Sequence, residues 1–514
     1  MMINLIKLNI LLLVILFSNN KIIAQIYNPI FGEEYVQTFV PTIEVTMDSA
    51  DYLIMIDSVY SNTYRHATAV YKSSDGTNIS YLDMGIRLRG NTSRTKDKKS
   101  IKLHFEKFTE DQKFFGLKKL NLKAETNDPS CVREHLVMNM YREYNVPVAR
   151  VNHIKLYINN TYMGLYSSVE QIDKTFLMSR FANKTGNLYK CTYGSSNGAD
   201  LAIVSEVYNN DIYELKTNES ANNRTNLNAF ISFLNTSSDA DFDNNIASYI
   251  NIESYLRQLA LEVLTGHWDG YSYNKNNFYL YYNTTKAWFE YIPYDTDNTL
   301  GIDWVSRDWS NRNIYDWAQH GNTARPLYTR VLGINRYAKK YSQNIDTLLN
   351  SIFTVNYQMN IANGFRNLIS PAVSIDTFYT LDNGYDTLAF LSSYTSNNVA
   401  NHAPYGIQPF ITKRKLTAEQ QLNLAHLSVG NSQTNDYVNI FPNPINDEIL
   451  TISLTTNKYN RLLIIDMTGS VVMSEYVLQG ANRINIRRLS KGIYYVQLQG
   501  AKNTKSNSWK IIRL

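Results

Sequence analysis

The sequence predicts an α+β body followed by a small β-sandwich. Segments in which apolar and polar residues alternate, a pattern typical of strands, recur from Tyr35 onward, and segments of helical period such as Ile252 to Leu264 lie between them. The small, polar stretch at 428–436 interrupts this order and has the composition of a linker. Short alternating segments then continue to the C-terminus, which favours two domains of different class.

The composition is that of a globular protein without a nucleic-acid partner. A chain of 514 residues is long enough for two or three domains of about 100–200 residues each. The net charge is only +5, and no dense basic run is present. The two cysteines, Cys131 and Cys191, exclude a disulfide-rich scaffold and a cysteine-based zinc site. One disulfide and two free thiols both remain open.

The N-terminus has the pattern of an export signal. Lys7 supplies a positive charge, Leu8 to Phe17 is an apolar run of suitable length, and Ile23 to Gln25 offers a small-residue cleavage point. The run is too short to span a bilayer, which takes about 20 residues. We therefore predict a signal peptide at 1–24, no transmembrane segment in the mature chain, and a secreted or surface-attached protein.

The N-terminal part of the body predicts mainly strands. Residues 25–83 form a β-rich segment, in which alternation begins at Tyr35 and continues to Ile56. Met84 to Phe105 contains two alternating runs that a polar insert at 90–98 separates. We expect strands in both regions.

Two elements follow whose local signals are specific. Asp128 to Tyr144 has helical period, with Asp128 as the N-cap and Pro129 at the first helical position. His153 to Glu170 returns to alternation, and Asn159-Asn160 is typical of a tight hairpin turn. These signals predict one helix and then a β-hairpin.

The rest of the chain also contains segments with helical period and segments with the pattern of strands. Ile252 to Leu264 predicts a helix, and Phe278 to Tyr282 and Trp288 to Pro293 predict strands joined by a polar turn. Pro326 to Leu424 is mostly helical in period, with Leu327 to Leu349 the clearest part. In the tail, 437–514, short alternating runs separated by turn residues predict a β-sandwich.

Two carboxylates follow the strand at 288–293. Asp295 and Asp297 are separated by one residue, and both could reach a hard cation if the backbone turns there. Magnesium takes one or two carboxylates together with water and substrate phosphates. A plain turn is the structural alternative for this pair, and structural calcium binding is a second one.

The loop before the preceding strand adds a third carboxylate. Asp269 lies in GHWDGYSYNKNN, and Asn274, Asn276 and Asn277 follow it. An Asp, a downstream Asn and a second Asp occur in this order in phosphoryl-transfer sites, where the first Asp faces the attacking hydroxyl and the others hold metal. Asn277 is favoured as the metal ligand because it directly precedes the strand.

Phosphate-binding cations would come from the N-terminal strands. KKSIKLHF offers Lys98, Lys99 and Lys102, and RLRGNTS offers Arg89 in a turn that could bind an anion. Neither GxGxxG nor GxxxxGKS is present in the sequence. A solvent-exposed strand lysine is the structural alternative for each lysine.

Together these segments resemble the CotH family, the spore-coat-protein-H-like proteins with an atypical protein-kinase-like fold. The matching segments run in the family's order over residues 84–301 and are RLRGNTSRTKDKKSIKLHF, LNLKAETNDPSCVREHL, VNHIKLYINNTYMGLYSSVEQIDKTFL, GHWDGYSYNKNNFYLYYN and WFEYIPYDTDNTLG. The helical stretch that follows is similar to its C-terminal lobe, so the resemblance implies a two-lobed, kinase-like domain at 84–427.

The resemblance also implies Mg²⁺- and ATP-dependent transfer of phosphate to a hydroxyl of an unidentified acceptor protein. Asp269 would then be catalytic, and Asn277, Asp295 and Asp297 would hold the metal. The nucleotide-binding residues would be Lys102 or Lys99, Arg89, and Glu170, which would lie near the adenine. A structural alternative for Glu170 is an ion pair with Arg133. Because some relatives act as adhesins, a non-catalytic surface-binding module is the alternative function.

The tail resembles the type A sorting domain of the type IX secretion system. The matching residues are IFPNP at 440–444, IIDMTGSVV at 464–472 and LSKGIYYVQL at 489–498. This resemblance implies recognition by that secretion machinery and a source among the Bacteroidota, and it agrees with the export signal at the N-terminus. A carbohydrate-binding sandwich is the structural alternative.

Overall fold

The computed structural model describes residues 27–195, 197–202, 209, 211–318, 324–379, 384–429, 438–441, 445, 448–454, 457–500 and 505–513. The predicted signal peptide and positions 430–436 of the predicted linker lie outside these residues. The chain divides into two compact units, Met1–Ala418 and Glu419–Leu514.

Seven strands of the larger unit form a closed barrel in the order β1-β2-β3-β4-β5-β7-β6. Their bounds are β1 Thr42–Thr46, β2 Arg65–Lys72, β3 Asn78–Leu88, β4 Ile101–His104, β5 Lys119–Lys123, β6 Val151–Ile158 and β7 Thr161–Glu170. Parallel pairing of β1 with β6 closes the barrel, and the other pairs are antiparallel.

Alternation along the strands separates the barrel core from its outer face. Leu103 of β4, with Leu120 and Leu122 of β5, belongs to the buried core cluster. Since successive side chains of a strand point to opposite faces, Lys102 and Lys123 lie on the outer face of the barrel. This face carries the side chains described in the next subsection.

The predicted strands at 84–105 and the hairpin at 153–170 are confirmed. Asn159 and Asn160 both have positive φ, 48° and 65°, as the tight turn between β6 and β7 requires. The prediction of strands throughout 35–56 is wrong for its second half, because Ser49–Asp57 forms helix α1. Asp48 begins that helix by accepting the N–H groups of Ala50 and Asp51.

Helix α2, Arg133–Glu143, connects β5 to β6 and begins later than the sequence predicts. Asp128 is not its N-cap residue. The fully buried Asp128 carboxylate instead accepts the backbone N–H groups of Val132 and Arg133 from upstream and pairs with the Arg133 guanidinium. Asp128 therefore stabilises the start of α2 from a turn that precedes the helix and not as the N-cap residue.

A second sheet has the order β11-β10-β8-β9. Its strands are β8 Leu188–Cys191, β9 Tyr213–Leu215, β10 Phe278–Asn283 and β11 Trp288–Pro293, so the predicted pair of strands is confirmed. Helices precede and flank this sheet: α3 Lys174–Phe181, α4 Thr225–Thr236, α5 Asp239–Tyr249, α6 Ile252–Leu264 and the single turn α7 Tyr271–Asn274. The helix predicted at 252–264 is confirmed.

The C-terminal part of the larger unit is mostly helical, as predicted. Its elements are α8 Pro326–Gly333, α9 Asn335–Leu349, α10 Val355–Val373, α11 Thr387–Thr395, the short strands β12 Asn397–Ala400 and β13 Ala403–Tyr405, and α12 Ile407–Val429, whose residues from Glu419 onward belong to the smaller unit. The helix predicted at 327–349 is divided at Ile334, where the backbone is extended.

Cys131 and Cys191 are buried free thiols. Among the described residues, no helix has both the length and the apolar character that a membrane span needs.

Apart from the end of α12, the regular elements in the described part of the smaller unit are strands, as predicted. They are β14 Val438–Phe441, β15 Ile449–Leu454, β16 Tyr459–Ile465, β17 Val471–Tyr476, β18 Gly480–Asn485, β19 Gly492–Gly500 and β20 Lys505–Arg513. They form sheets in the orders β14-β15-β18 and β17-β16-β19-β20. Leu450 and Ile452 of the first sheet share one buried cluster with Leu462 and Val496 of the second.

Candidate active site

The ammonium group of Lys123 lies among three carboxylates from distant parts of the chain. Its Nζ is 2.8 Å from Glu134 Oε2, 2.5 Å from Asp295 Oδ1 and 3.4 Å from Asp297 Oδ2. The side chains are mostly buried, with 10% of Lys123 and none of Glu134 exposed. We call these four residues the Lys123 cluster.

Three elements deliver the members of the Lys123 cluster. Lys123 ends β5, and Glu134 lies in the first turn of α2. Asp295 and Asp297 follow β11, and Asp295 has a φ of 53°. This left-handed residue turns the backbone directly after the strand, which lets both aspartates approach the same ammonium group.

Burial and charge oppose each other within the Lys123 cluster. Burial raises the pKa of Asp297 to about 8, and the charges of Asp295 and Glu134 add to the effect although Lys123 opposes it. Burial also disfavours ionised Asp295, but the nearby Lys123 and Arg89 hold its pKa below the ordinary value. The pKa of Lys123 is raised well above its ordinary value, because Asp295, Asp297 and Glu134 outweigh its burial. The cluster therefore has a deficit of positive charge.

Asp269 lies in the loop between α6 and β10, and asparagine amides hold its carboxylate. Oδ1 accepts from Asn274 at 2.5 Å and from Asn276 at 3.4 Å, and Oδ2 accepts from Asn277 at 2.8 Å. Burial raises the pKa of Asp269 to about 6, although the amide hydrogen bonds lower it. The charge of Asp269 raises the pKa of Asp297, and the charge of Asp295 raises the pKa of Asp269. Asp269 and the Lys123 cluster therefore interact electrostatically.

The predicted phosphate-binding residues divide into two groups. Lys102 Nζ donates to Gln171 Oε1 at 2.7 Å, and Arg89 Nη2 donates to the Tyr294 hydroxyl at 2.9 Å, next to Asp295. Lys99 instead donates to the carbonyl of Lys96 at 2.5 Å. The structure thus places Arg89 beside the Lys123 cluster and Lys102 at the end of β7. Within the described residues, the side chain of Lys99 binds only the backbone of its own loop.

Glu170 lies in a closed ion-pair network. Its two carboxylate oxygens accept from Arg150 Nη2 at 2.8 Å and from Arg180 Nη2 at 2.5 Å, and the side chain is only 1% exposed. Both guanidiniums hold the pKa of Glu170 below its ordinary value despite burial. The structure does not bring Glu170 to the Lys123 cluster. The alternative pairing with Arg133 is wrong, because Arg133 binds Asp128.

The donor set suits a magnesium ion that binds together with phosphates. Among the described residues, Asp297 accepts a hydrogen bond only from Asn127, at 3.5 Å, apart from its contact with Lys123. In the part of the chain that the structure describes, no group of three or more His, Cys, Asp or Glu side chains is arranged to hold a metal. Magnesium commonly uses one or two carboxylates and completes its shell with water and phosphate oxygens, so Asp295 and Asp297 fit that ion.

Sequence reasoning missed Lys123 and Glu134. Lys123 lies in KLNLKAE, inside a segment that carries the family resemblance, but the prediction of a phosphate-binding lysine on an N-terminal strand falls on KKSIKLHF. The signal that could have found it is a lysine at a strand end followed by a glutamate in the next helix. Protein kinases use this combination of a strand lysine and a helix glutamate.

Comparison with known proteins gives a family match for each of two parts of the chain. Residues 86–416 match the model of the family described as CotH kinase protein, and residues 439–512 match the secretion system C-terminal sorting domain. Inner spore coat protein H of Bacillus subtilis is 27% identical over 305 residues, which cover 58% of this chain and 79% of that protein. Two proteins of Rhizopus delemar also match. Invasin CotH2 is 21% identical over 60% of this chain and 55% of its own length. Spore coat protein homolog 1 is 24% identical over 54% of this chain and 44% of its own length.

Proposed function

The chain belongs to the CotH family, and from that premise we propose that it is an exported protein kinase. The reaction is transfer of phosphate from ATP, with Mg²⁺, to a serine or threonine hydroxyl of an acceptor protein. The observation that carries this proposal is the pair of Lys123 and Glu134 beside two aspartates that follow a strand.

The order of elements around this pair supports the proposal. In protein kinases, a strand lysine that contacts nucleotide phosphates is held by a glutamate of the following helix. Here Lys123 of β5 is held by Glu134 of α2, the next helix along the chain. Asp269 and then Asp297 follow later along the chain. This order favours the two-lobed, kinase-like arrangement that the sequence predicts.

Asp269 has the surroundings that a catalytic aspartate requires. Its carboxylate, fixed by three amides, would accept the proton of the acceptor hydroxyl as the oxygen attacks phosphorus. The spacing from His267 through Asp269 to Asn274 matches the H-R-D-x-x-x-x-N pattern of kinase catalytic loops. Asn274 therefore joins Asn277 as a candidate for the metal-binding amide.

The remaining residues bind and orient the donor. Asp297 and Asp295 would hold magnesium, which supplies neutralisation of the phosphate charge. Lys123 would donate to phosphate oxygens while Glu134 keeps its ammonium group in place. Burial lowers the pKa of His267 to about 4, so this imidazole, two residues before Asp269 in the sequence, is neutral at physiological pH and adds no charge.

Export is supported by the C-terminal match. Residues 439–512 carry the secretion sorting domain, which implies an interaction with secretion machinery and delivery to the cell surface. We assign this machinery to the type IX system of a Bacteroidota-type bacterium on the motifs IFPNP and LSKGIYYVQL. In this proposal 84–427 is the kinase domain, 428–436 the linker, and 437–514 the sorting domain.

The test compares the purified protein with an Asp297→Asn variant, which removes one carboxylate and keeps the side-chain shape. Thermal unfolding is followed with Mg²⁺ and ATP together and with each alone, and transfer of labelled phosphate to mixed surface proteins is measured in parallel. Asp346→Asn, on the exposed face of α9, is the matched control.

We expect the midpoint of unfolding to rise only with both ligands in the wild type and the control, since ligand that binds the folded state stabilises it by mass action. The shift and the phosphate transfer should be lost in Asp297→Asn. A wild type that shows neither a shift at millimolar ATP nor transfer would refute the kinase proposal.

A surface-binding module is the second candidate, because one matched relative carries the name Invasin. It would keep the fold without turnover, and it predicts binding to host or neighbouring cells that Asp297→Asn leaves unchanged. The structural calcium alternative is less compatible with the site, because calcium takes about 6–8 oxygen ligands and no group of three or more His, Cys, Asp or Glu side chains among the described residues is arranged to hold a metal.

A further inference from the structure

Three cations beside the Lys123 cluster, Arg89, Lys102 and Lys190, form no salt bridge with a carboxylate within the described residues. Lys102 donates to the neutral Gln171 amide, and Arg89 donates to the Tyr294 hydroxyl. Within the described residues, the side chain of Lys190 makes neither a hydrogen bond nor an ion pair. Lys123, by contrast, contacts three carboxylates. One side of the site is therefore acidic and the other is basic.

The strand register places Lys190 on the basic side. Lys190 is the third residue of β8 and pairs with Tyr279 of β10. The Tyr279 ring packs edge-on against Tyr294 with 5.4 Å between centroids, and Tyr294 binds Arg89. Since paired residues of neighbouring strands point to the same face of a sheet, Lys190 lies on the face that meets Arg89.

Burial and neighbouring positive charge disfavour the ionised forms of the two lysines, Lys102 and Lys190. The pKa of Arg89 is raised instead, because Tyr294, Asp295 and Glu134 outweigh its burial. Burial and the charge of Lys216 lower the pKa of Lys190, although the charges of Glu214 and Asp295 oppose them. Burial and the charge of Arg89 lower the pKa of Lys102 well below its ordinary value. Glu214 lies opposite Lys190 across β8 and β9, but its carboxylate pairs with Lys216. Like charges brought together in a partly buried cleft repel unless an anion lies among them.

We propose that Lys190, together with Arg89 and Lys102, binds phosphate groups of the donor nucleotide from the side of the small sheet. The assignment to the donor rests on the proposed function. Family resemblance and sequence pattern pointed to Arg89 and Lys102, but nothing in either pointed to Lys190. The arrangement also explains how the site binds phosphates although the sequence has no glycine-rich phosphate loop.

Binding through these cations needs no metal, which separates this site from Asp295 and Asp297. The probe is inorganic tripolyphosphate, titrated by calorimetry into the purified protein in the presence of EDTA. Three variants are compared: Lys190→Met, which keeps the apolar stem, Lys190→Arg, which keeps the charge, and Lys286→Met. Lys286 lies in the exposed turn between β10 and β11 and is the matched control for charge.

We expect tripolyphosphate to bind the wild type and the Lys286→Met control equally. Lys190→Met should weaken binding by about tenfold or more, the effect of losing one hydrogen bond to a charged group, and Lys190→Arg should restore most of it. The same order of affinities is expected for Mg²⁺-ATP.

Equal tripolyphosphate affinity in the wild type and Lys190→Met would overturn the site, whatever Mg²⁺-ATP does. If tripolyphosphate binding depends on Lys190 but Mg²⁺-ATP affinity does not, the assignment to donor phosphates is overturned. Failure of the proposed function is seen separately, as a wild type that does not bind Mg²⁺-ATP.

Discussion

Lys123 Nζ lies 2.8 Å from Glu134 Oε2, and this contact joins the end of β5 to the first turn of α2. The same ammonium group contacts Asp295 and Asp297, which come from the loop after β11. One buried cation thus connects the barrel, a helix and the second sheet. Several consequences for stability and catalysis can be measured.

Replacing Lys123 by Met should destabilise the protein and make its stability depend on magnesium. The change leaves Glu134, Asp295 and Asp297 close together without a cation, and breaking a buried ion pair costs about 3–5 kcal/mol. We expect urea unfolding to show this loss in EDTA and a partial recovery in millimolar Mg²⁺. Lys286→Met is the control. Equal recovery in the wild type and the variant would contradict the role of Lys123 as the counter-ion of the aspartates.

Replacing Glu170 by Gln should lower stability and leave nucleotide binding unchanged. The variant deprives the buried guanidiniums of Arg150 and Arg180 of their shared carboxylate, which we expect to cost about 3 kcal/mol of unfolding free energy. The dissociation constant for Mg²⁺-ATP, measured well below the unfolding midpoint, should match the wild type. Weaker nucleotide binding at unchanged stability would instead support the adenine-side role that the resemblance implies.

Phosphate transfer should increase with pH through about 6. Asp269 accepts a proton only when it is ionised, and burial raises its pKa to about 6. Initial rates at saturating Mg²⁺-ATP from pH 5 to 8 should therefore rise and then level off. Asp269→Asn should lower the rate by about 10²–10⁴-fold and remove this rise. A rate that is independent of pH in this range would contradict the assignment of Asp269 as the base.

Glu125 should make the protein less stable as pH rises. Its side chain is 7% exposed, neither carboxylate oxygen has a hydrogen-bond partner among the described residues, and it faces a cavity of about 10 Å³ with Lys98 and Tyr385. Burial raises its pKa from 4.5 to about 8. Because the folded state holds the proton more tightly than the unfolded state, the stabilisation is full below pH 4.5 and is lost as pH rises towards about 8.

The measurement for Glu125 is the difference in unfolding free energy between Glu125→Gln and the wild type. This difference should move in favour of the variant by up to about 1.4 kcal/mol for each pH unit between pH 5 and 8. Glu253→Gln, at a half-exposed ion pair with Lys340, is the control. A difference that does not change with pH would mean that Glu125 is ionised throughout the range.

Elements with a strong local signal were predictable. The bounds of α6 match the helical period at 252–264, and the β6–β7 hairpin follows from Asn159-Asn160, whose positive φ values only a few residue types tolerate. Local signals gave a wrong prediction where a contact with a different partner determines what a side chain binds. Asp128 resembles an N-cap, but its burial against Arg133 uses the carboxylate in a turn before the helix.

By itself, the sequence determined which residue types are available and in what order: a strand lysine, Asp269, and then Asp295 and Asp297 in a chain with an export pattern and a sorting-domain tail. Only the tertiary structure decided their partners. It brought Lys123 and not Lys99 to the aspartates and enclosed Glu170 between two arginines. Within the described residues, it left Lys190 without a salt bridge. The physical reason is range: period and turn chemistry act over a few neighbouring residues, whereas ion pairing in a buried site depends on which distant segments fold to within a few ångströms of one another.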